Sequence, residues 1–547
     1  MSNDDAPQPS DNKLPIPPPL RSLIPLILLM VGAGTLAALQ FAQVREILSP
    51  ANAFLAKASS AAGTLILLFA WFVLLSSASR KTRYYVGALG VGAVLVALAA
   101  LRIEGVSGDI IPHVSFRWAP HADETLGEIE SDADASPVDL TATTDHDYPQ
   151  FLGANRDATL HDVGLARDWS SEKPSELWRQ PIGAAWSAFA IVGPYAVTQE
   201  QRGPDELITC YELATGNPRW SHATPVRFQE TLAGIGPRAT PTVHEGKVYA
   251  MGALGHLTCL DGATGEQLWQ QHVVASFDPE RTNPPSDTAA GNPIWGKSCS
   301  PLIYEDLVIA SAGAPDGKSL IAFDKQTGEF RWSGGDDASS YSSPTVMTLD
   351  GVPQIVIVNA TSVVAHDPKD GRVVWERDWP EADAGRATPT VAQPVEAGND
   401  RILLTKGYGA GSALWQIRRD GDAWTVEELW RNLRLKTKFT NPVIHEGFVY
   451  ALDEGILQCV DLETGRAKWK RGRYGHGQLI LVDDLLLVQS ETGDLALVEA
   501  DPKKFRELAR ITALSGTCWN PPALAGRTLL LRSNSEAVCY ELPAASP

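Results

Sequence analysis

Cysteine, basic charge and apolar patterning are each scarce somewhere in this chain, and each scarcity excludes something. The six cysteines among 547 residues include no Cys-x-x-Cys and no adjacent pair. That argues against a zinc ribbon or a thioredoxin-type site. Lys and Arg number 46 against 65 Asp and Glu, a net charge of −19. No basic surplus is left to neutralise phosphate, so no nucleic-acid partner is expected. Residues 1–20 are polar and Pro-rich, and residues 103–148 are acidic with few large apolar side chains. Neither stretch has the periodicity of a core element.

Apolar sequence is concentrated between these two stretches. Three uncharged runs, Leu23–Phe41, Ala61–Leu75 with flanks to Ser79, and Tyr84–Leu101, are each near the length a helix needs to cross a bilayer. Residues 21–102 are therefore expected to form three transmembrane helices. Arg80, Lys81 and Arg83 sit between the second and third runs, which places that loop in the cytoplasm by the positive-inside rule. Arg45 and Lys57 between the first two runs weaken this bias without reversing it. Residues 1–20 are then a cytoplasmic tail, 103–148 a flexible acidic spacer, and the remainder lies outside.

From residue 200 onward one pattern recurs: small-x-acid-x-x-Thr-Gly-x-x-x-Trp. It runs from Cys210 and Glu212 to Trp220, and from Cys259 and Asp261 to Trp269. It returns from Ala322 and Asp324 to Trp332, from Ala365 and Asp367 to Trp375, and from Cys459 and Asp461 to Trp469. The acid precedes the Trp by the same offset in all five. Alternating apolar residues before the acid read as a strand, the acid and Gly as a tight turn, and the residues up to Trp as a second strand. A second pattern lies upstream, as in Pro241–Tyr249, Pro301–Ile309 and Pro442–Tyr450. It adds two more strands, and a four-stranded unit repeated in this way is a propeller blade.

Eight blades are expected, near 186–222, 237–274, 299–335, 342–379, 387–432, 440–472, 477–511 and 518–543. The seventh carries Leu508 where Trp is expected. The eighth lacks its fourth strand, and Glu176–Arg179, which precedes the first blade, has that strand's signature. An all-β, eight-bladed β-propeller over 149–543, closed by this N-terminal strand, follows. Cys210, Cys259, Cys459 and Cys539 occupy the small-residue position of four blades, while Cys299 and Cys518 sit near first strands. No disulfide is expected.

The repeat resembles the tryptophan-docking motif of pyrroloquinoline-quinone-type propellers, a group that includes quinoprotein alcohol dehydrogenases and BamB-like assembly lipoproteins. Resemblance to the BamB-like members implies a non-catalytic scaffold that binds envelope proteins. The three spans match neither group's usual anchoring, and it is they that would hold the chain in the cytoplasmic membrane with its propeller on the periplasmic side. Resemblance to the dehydrogenases implies pyrroloquinoline quinone with calcium, and oxidation of alcohols or sugars. Whether the chain is an enzyme stays open at this point. A small-molecule or carbohydrate ligand is a third reading. The dehydrogenases' calcium ligands and catalytic Asp cannot be traced onto this chain, no vicinal Cys pair is present, and no metal site is assigned.

Ligands of propellers bind where first strands begin. The residues just before those strands are Trp186, Arg238, Lys297, Tyr341, Arg386, Lys438, His476 and Trp519. Cations and indoles together suit a flat anion. Trp186, Arg238, Lys297, Arg386, Lys438, His476 and Trp519 are thus the candidate cofactor-binding residues. The alternative is that the cations pair with neighbouring acids such as Asp336, Asp337, Glu381 and Asp383. Within the insertion 273–298, Asn283–Pro285 and Asn292–Trp295 are candidates to cap the funnel.

Overall fold

The structure is a computed structural model that describes residues 18–45, 48, 50–129, 137–273, 293–314, 316–379 and 389–545. It has two units: Met1–Glu104 with Asp109–Ala119, and Gly105–Gly108 with Pro120–Pro547.

The first unit carries α1 (Pro18–Val44), α2 (Pro50–Leu75) and α3 (Arg80–Ala100), all long and apolar enough to cross a membrane. Two details differ from the sequence reading. Lys57 lies on α2 rather than in a loop, and its ammonium donates to Gln40 Oε1 at 2.5 Å and to Gln43 on α1. Arg80, Lys81 and Arg83 form the first turn of α3, because Ser79 caps the helix by accepting the Thr82 N–H at 3.1 Å. After α3, β1 (Leu101–Val106) and β2 (Pro112–Phe116) pair in a two-stranded sheet.

The second unit is an eight-bladed propeller. Blades 1 to 7 span 190–224, 242–272, 302–334, 345–378, 395–432, 443–473 and 478–512. Blade 8 takes three strands from 523–541. Two strands that precede blade 1 in sequence join the last blades. β3 (Thr159–Leu160) runs parallel to Gln478–Val482 as a fifth strand of blade 7. β4 (Ser175–Pro181) pairs with Glu536–Glu541 and supplies the missing strand of blade 8. The pairing completes blade 8 with a strand from ahead of blade 1 and so closes the ring.

The geometry explains the repeat. In every blade the last two strands carry a bulge, and in six of the eight it lies beside a small residue that faces the indole, as Cys210 faces Trp220, Cys259 faces Trp269 and Cys539 faces Trp178. The acid holds the turn. Asp324 Oδ1 accepts the N–H groups of Gln326 at 2.9 Å and Thr327 at 2.8 Å. Arg331 and these bonds draw its carboxyl down to about 2. The Gly that follows has two reasons to be Gly. At Gly328 φ is +72°, and an added Cβ would lie 2.7 Å from the ring of Trp269 in the preceding blade. The same indole donates to Lys325 O at 3.2 Å. Each motif therefore docks its turn on the Trp before it.

Two junctions depart from this rule. Between blades 4 and 5, Trp375 donates to Gln354 Oε1 of its own blade at 2.8 Å, and buried Trp379 and Trp415 meet edge to face at 5.8 Å. Between blades 7 and 8, Ala509 rather than Leu508 occupies the Trp register, facing Leu497. Here the turn is longer: Asp261 N–H meets Glu266 O, but Glu499 N–H meets Arg506 O. Two extra residues move the register from the expected position, and Leu508 falls at the bulge.

All six cysteines are free and buried. Burial pushes the thiols of Cys259, Cys459, Cys518 and Cys539 up to about 12, so they act as small apolar residues.

Within the propeller unit, described residues from Pro120 onward in the stretch read as a spacer pack against the blades. Val138 and Leu140 are buried with Val197 and Val248 of blades 1 and 2. Asp123 is buried and accepts from Arg227 Nη1 at 2.6 Å. Just beyond, residues 148–160 meet the first strands of blades far apart around the ring. Tyr148 exchanges backbone bonds with Ile191, and Pro149 O accepts from Val243 at 2.8 Å. The Arg156 guanidinium donates to Ser300 O and Pro301 O at 3.1 Å, Gln393 donates to the Arg156 carbonyl, and Leu481 donates to Ala158 O. These contacts on blades 1, 2, 3, 5 and 7 make the segment a plug on the ring axis. Its fit is tight enough to hold Leu152, Arg156 and Ala158 at φ near +60°, a conformation non-glycine residues avoid.

Candidate functional site: the funnel of the propeller

The first strands begin at the end of the ring opposite the Trp-docked turns. There the structure gathers Trp186, His476, Trp519 and Lys438 into one cluster. The Trp186 and Trp519 rings lie 4.6 Å apart, and Phe439 lies 4.5 Å from Trp519 and 6.0 Å from His476. Glu491 ties the cluster together. Its Oε1 accepts the Trp519 indole N–H at 3.0 Å, and its Oε2 accepts the His476 backbone N–H at 3.0 Å. Lys438 Nζ donates to Gly108 O at 2.9 Å and lies 3.6 Å from Glu454.

Arg238 adjoins this cluster through a shared carbonyl. Ala233 O accepts from the Trp186 indole at 2.5 Å and from Arg238 Nη2 at 3.0 Å. The guanidinium also covers the Phe228 ring at 4.2 Å, and lost hydration lowers it to about 9. Nearby Glu206 is buried, accepts the Ala253 N–H at 3.0 Å, and is pushed up to about 7 by the loss of water. Lys297 stands apart. It is fully buried, donates to Ser311 O, Ala312 O and Ser339 Oγ, and burial lowers it to about 7. Tyr341 stacks on Trp295 at 5.3 Å. Arg386, Glu381, Asp383 and the Asn283–Pro285 segment lie outside the described residues.

The cations are thus engaged mainly by backbone carbonyls. Of the acids expected to pair with them, Asp337 instead accepts the N–H groups of Ala338, Thr361 and Ser362. The sequence reading missed Phe439, Glu206 and Glu491. Only Glu491 left a local signal: in blades 6 and 7 an acid stands just before the Gly of the second turn, at Glu454-Gly455 and Glu491-Thr492-Gly493.

Beside the cluster lies a second buried charge group. Glu200 accepts from Tyr211 at 2.5 Å and Gly183 N–H at 2.5 Å, and lies 3.2 Å from Arg202. Burial opposes its charge, but Arg202, Tyr211 and Arg532 together hold the carboxyl below its usual value. Arg532, fully buried, reaches from blade 8 to Gln199 O and Thr198 Oγ1 of blade 1. This group stitches the ring closure at the funnel end.

Among the described residues, the donor set does not fit a quinone with calcium. Among the described residues no three His, Cys, Asp or Glu converge as metal ligands. The ammonium of Lys297 donates to Ser311 O and Ala312 O, and Arg238 donates through Nη2 to Ala233 O and Gly234 O. Trp519 packs on Trp186 at 4.6 Å and on Phe439 at 4.5 Å, too close for a flat ring to lie between it and either of them.

Fold and repeat define an eight-bladed propeller whose blades dock by a Trp–Gly contact of the quinoprotein type. The family described as outer membrane protein assembly factor BamB matches residues 169–291, 204–471 and 410–506, and the chain belongs to it. BamB of Shewanella oneidensis is 23% identical over 405 residues, covering 59% of this chain and 98% of that protein. The quinoprotein ethanol dehydrogenase of Pseudomonas putida is 25% identical over 347 residues, covering 53% of each chain. The alcohol dehydrogenase (quinone) subunit of Gluconacetobacter polyoxogenes is 27% identical over 280 residues, 47% of this chain. The match spans 32% of that subunit, so this chain covers about half or less of these two dehydrogenases. Among solved structures, BamB of Moraxella catarrhalis aligns over 68% of this chain and 98% of its own, at 13% identity and TM-score 0.46.

Proposed function

We propose that this chain is a membrane-tethered, non-catalytic scaffold of the cell envelope whose funnel face docks segments of envelope proteins. In this reading α1–α3 cross the cytoplasmic membrane, with residues 1–20 and the Arg80–Arg83 turn on the cytoplasmic side. The propeller stands on the periplasmic side. Trp186, Arg238, Lys438, His476 and Trp519 belong to the docking face.

The observation that carries this reading is the character of the funnel rim. Leu232, Ile294 and Leu433 stand 45%, 47% and 70% exposed on the loops that lead into first strands. The aromatic cluster at the same end of the ring has its polar groups engaged within the fold, by backbone carbonyls and by Glu491 and Glu454. Such a face suits a polypeptide better than a small anion. The test has two arms. Purified full-length chain, supplied with pyrroloquinoline quinone and calcium, is expected to show no bound chromophore and no dye-linked alcohol oxidation. Turnover there overturns the scaffold reading. A photo-reactive residue at Leu433 is expected to cross-link one defined envelope protein in native membranes, and the same residue at Lys503, remote from the funnel, is not. Equal capture from both positions also overturns it.

A further inference from the structure

One group in the funnel comes from outside the blades. Gly108, which belongs to the propeller unit, is held by both of its backbone polar groups. Its N–H donates to Glu491 Oε1 at 2.5 Å and its carbonyl accepts from Lys438 Nζ at 2.9 Å. Both partners are charged and buried, so both bonds are charge-assisted in a setting shielded from water. The His476 ring lies so close that a Cβ on residue 108 would collide with its Cβ, Cγ and Cδ2 atoms. Glu491 in turn is fixed by Trp519 and His476, and Lys438 by Glu454 and the Tyr408 ring at 5.6 Å.

This is a selective geometry. An acid reads one N–H, a lysine reads the C=O of the same residue, and a flat ring excludes any side chain. Both bonds are made by the backbone of the glycine itself. We propose that the funnel is a binding site for a glycine-centred turn of a polypeptide. Gly108 is its resident occupant, and the Gly-turn of a partner protein displaces it. The inference rests on the scaffold reading and names the chemistry of the docked segment. The apolar walls supplied by Trp519 and Phe439 admit small flanking residues and add contact without sequence demand. A tethered occupant competes at high effective concentration, so a partner segment engages only when it is itself held nearby.

The test uses full-length protein in detergent and a capped peptide, Glu-Gly-Val-Ser-Gly-Asp-Ile-Ile, which reproduces the chain around Gly108. Binding is read by the fluorescence of the Trp186–Trp519 pair and by calorimetry. Gly108→Ala expels the resident turn, and the peptide is expected to bind this variant at least ten-fold more tightly than it binds the parent. The same peptide with Ala for its second Gly is expected not to bind. Lys438→Met in the Gly108→Ala background is expected to weaken binding at least ten-fold. Equal binding to parent and variant, or equal binding of the Ala peptide, overturns the proposal. Hydrogen exchange keeps it testable should the variants fold poorly. In the parent, the amide of Gly108 is expected to exchange at least ten-fold more slowly than that of a free peptide, and free-peptide exchange overturns the proposal. If Leu433 still cross-links its partner while the peptide fails, this inference falls and the scaffold reading stands. Quinone-dependent turnover removes the scaffold reading whatever the peptide does.

Discussion

At the turn end of the ring, six indoles meet a backbone carbonyl of the next blade by one repeated rule. Trp178, Trp220, Trp269, Trp332, Trp430 and Trp469 donate at 2.8–3.2 Å. At the funnel end four described junctions are each built differently. One holds the Glu200–Arg202–Arg532 group, another Glu206 beside Arg238, another Lys438 with Glu454, another Glu491 under Trp519. The turn end is apolar, interchangeable and fastened by side chain to backbone. The funnel end is charged and particular. A repeat protein thus separates its two obligations: identical contacts close the ring, and individual ones supply the surface that differs.

Breaking the turn end is expected to have the largest effect. Trp269→Ala removes a buried indole and its bond to Lys325, and should lower unfolding free energy by about 3–5 kcal/mol in urea titration. A variant as stable as the parent would refute docking by this residue. A paired substitution sharpens the point at smaller scale. Gly328→Ala meets the Trp269 ring and a positive φ together, and should cost roughly 2–4 kcal/mol. Gly421→Ala in blade 5 also sits at positive φ, +61°, but has open space around it. It should cost only about 1 kcal/mol. Equal losses would show that the turn conformation, not the indole contact, sets the need for Gly.

The funnel end is expected to respond to pH instead. Glu206 titrates near 7 in the folded chain and near 4.5 when unfolded. The folded state therefore holds the proton more tightly. Its contribution is full below about 4.5 and is lost as pH rises through about 7. Glu206→Gln should leave the melting temperature almost unchanged at pH 5 and raise stability at pH 8. The gain should be on the order of 1 kcal/mol, after loss of the stronger bond from Ala253. A pH-independent difference would place the charge elsewhere.

The same division decided what the sequence revealed. Blade count, blade boundaries and the closing strand were legible because the Trp motif repeats and its contacts depend on local spacing. Where local spacing changed, the expected register failed: with two extra turn residues, Ala509 and not Leu508 takes the Trp position of the seventh blade. The axial plug at 148–160 was not legible. It has no periodicity, and its partners, Ser300, Gln393 and Leu481, lie far away in sequence. Of the funnel candidates, Trp186, Lys438, His476 and Trp519 come together and Arg238 adjoins them, because position before a first strand is itself a repeated feature. What each side chain bonds to was hidden, since the partners are carbonyls and acids on other blades.

The order of synthesis gives the closing strand a further meaning. β4 leaves the ribosome before any blade, yet its pairing partner Glu536–Glu541 leaves last. Some 350 residues separate the two, so ring closure is the final event and the slowest search. Until then β4 and the open sides of blades 1 and 8 are exposed together, at the stage when a strand edge is most prone to wrong pairing. A truncated product that stops before residue 536 cannot complete the circle, whatever the quality of the blades already formed. The join thus acts as a check, made once, that every blade up to the eighth has been synthesised.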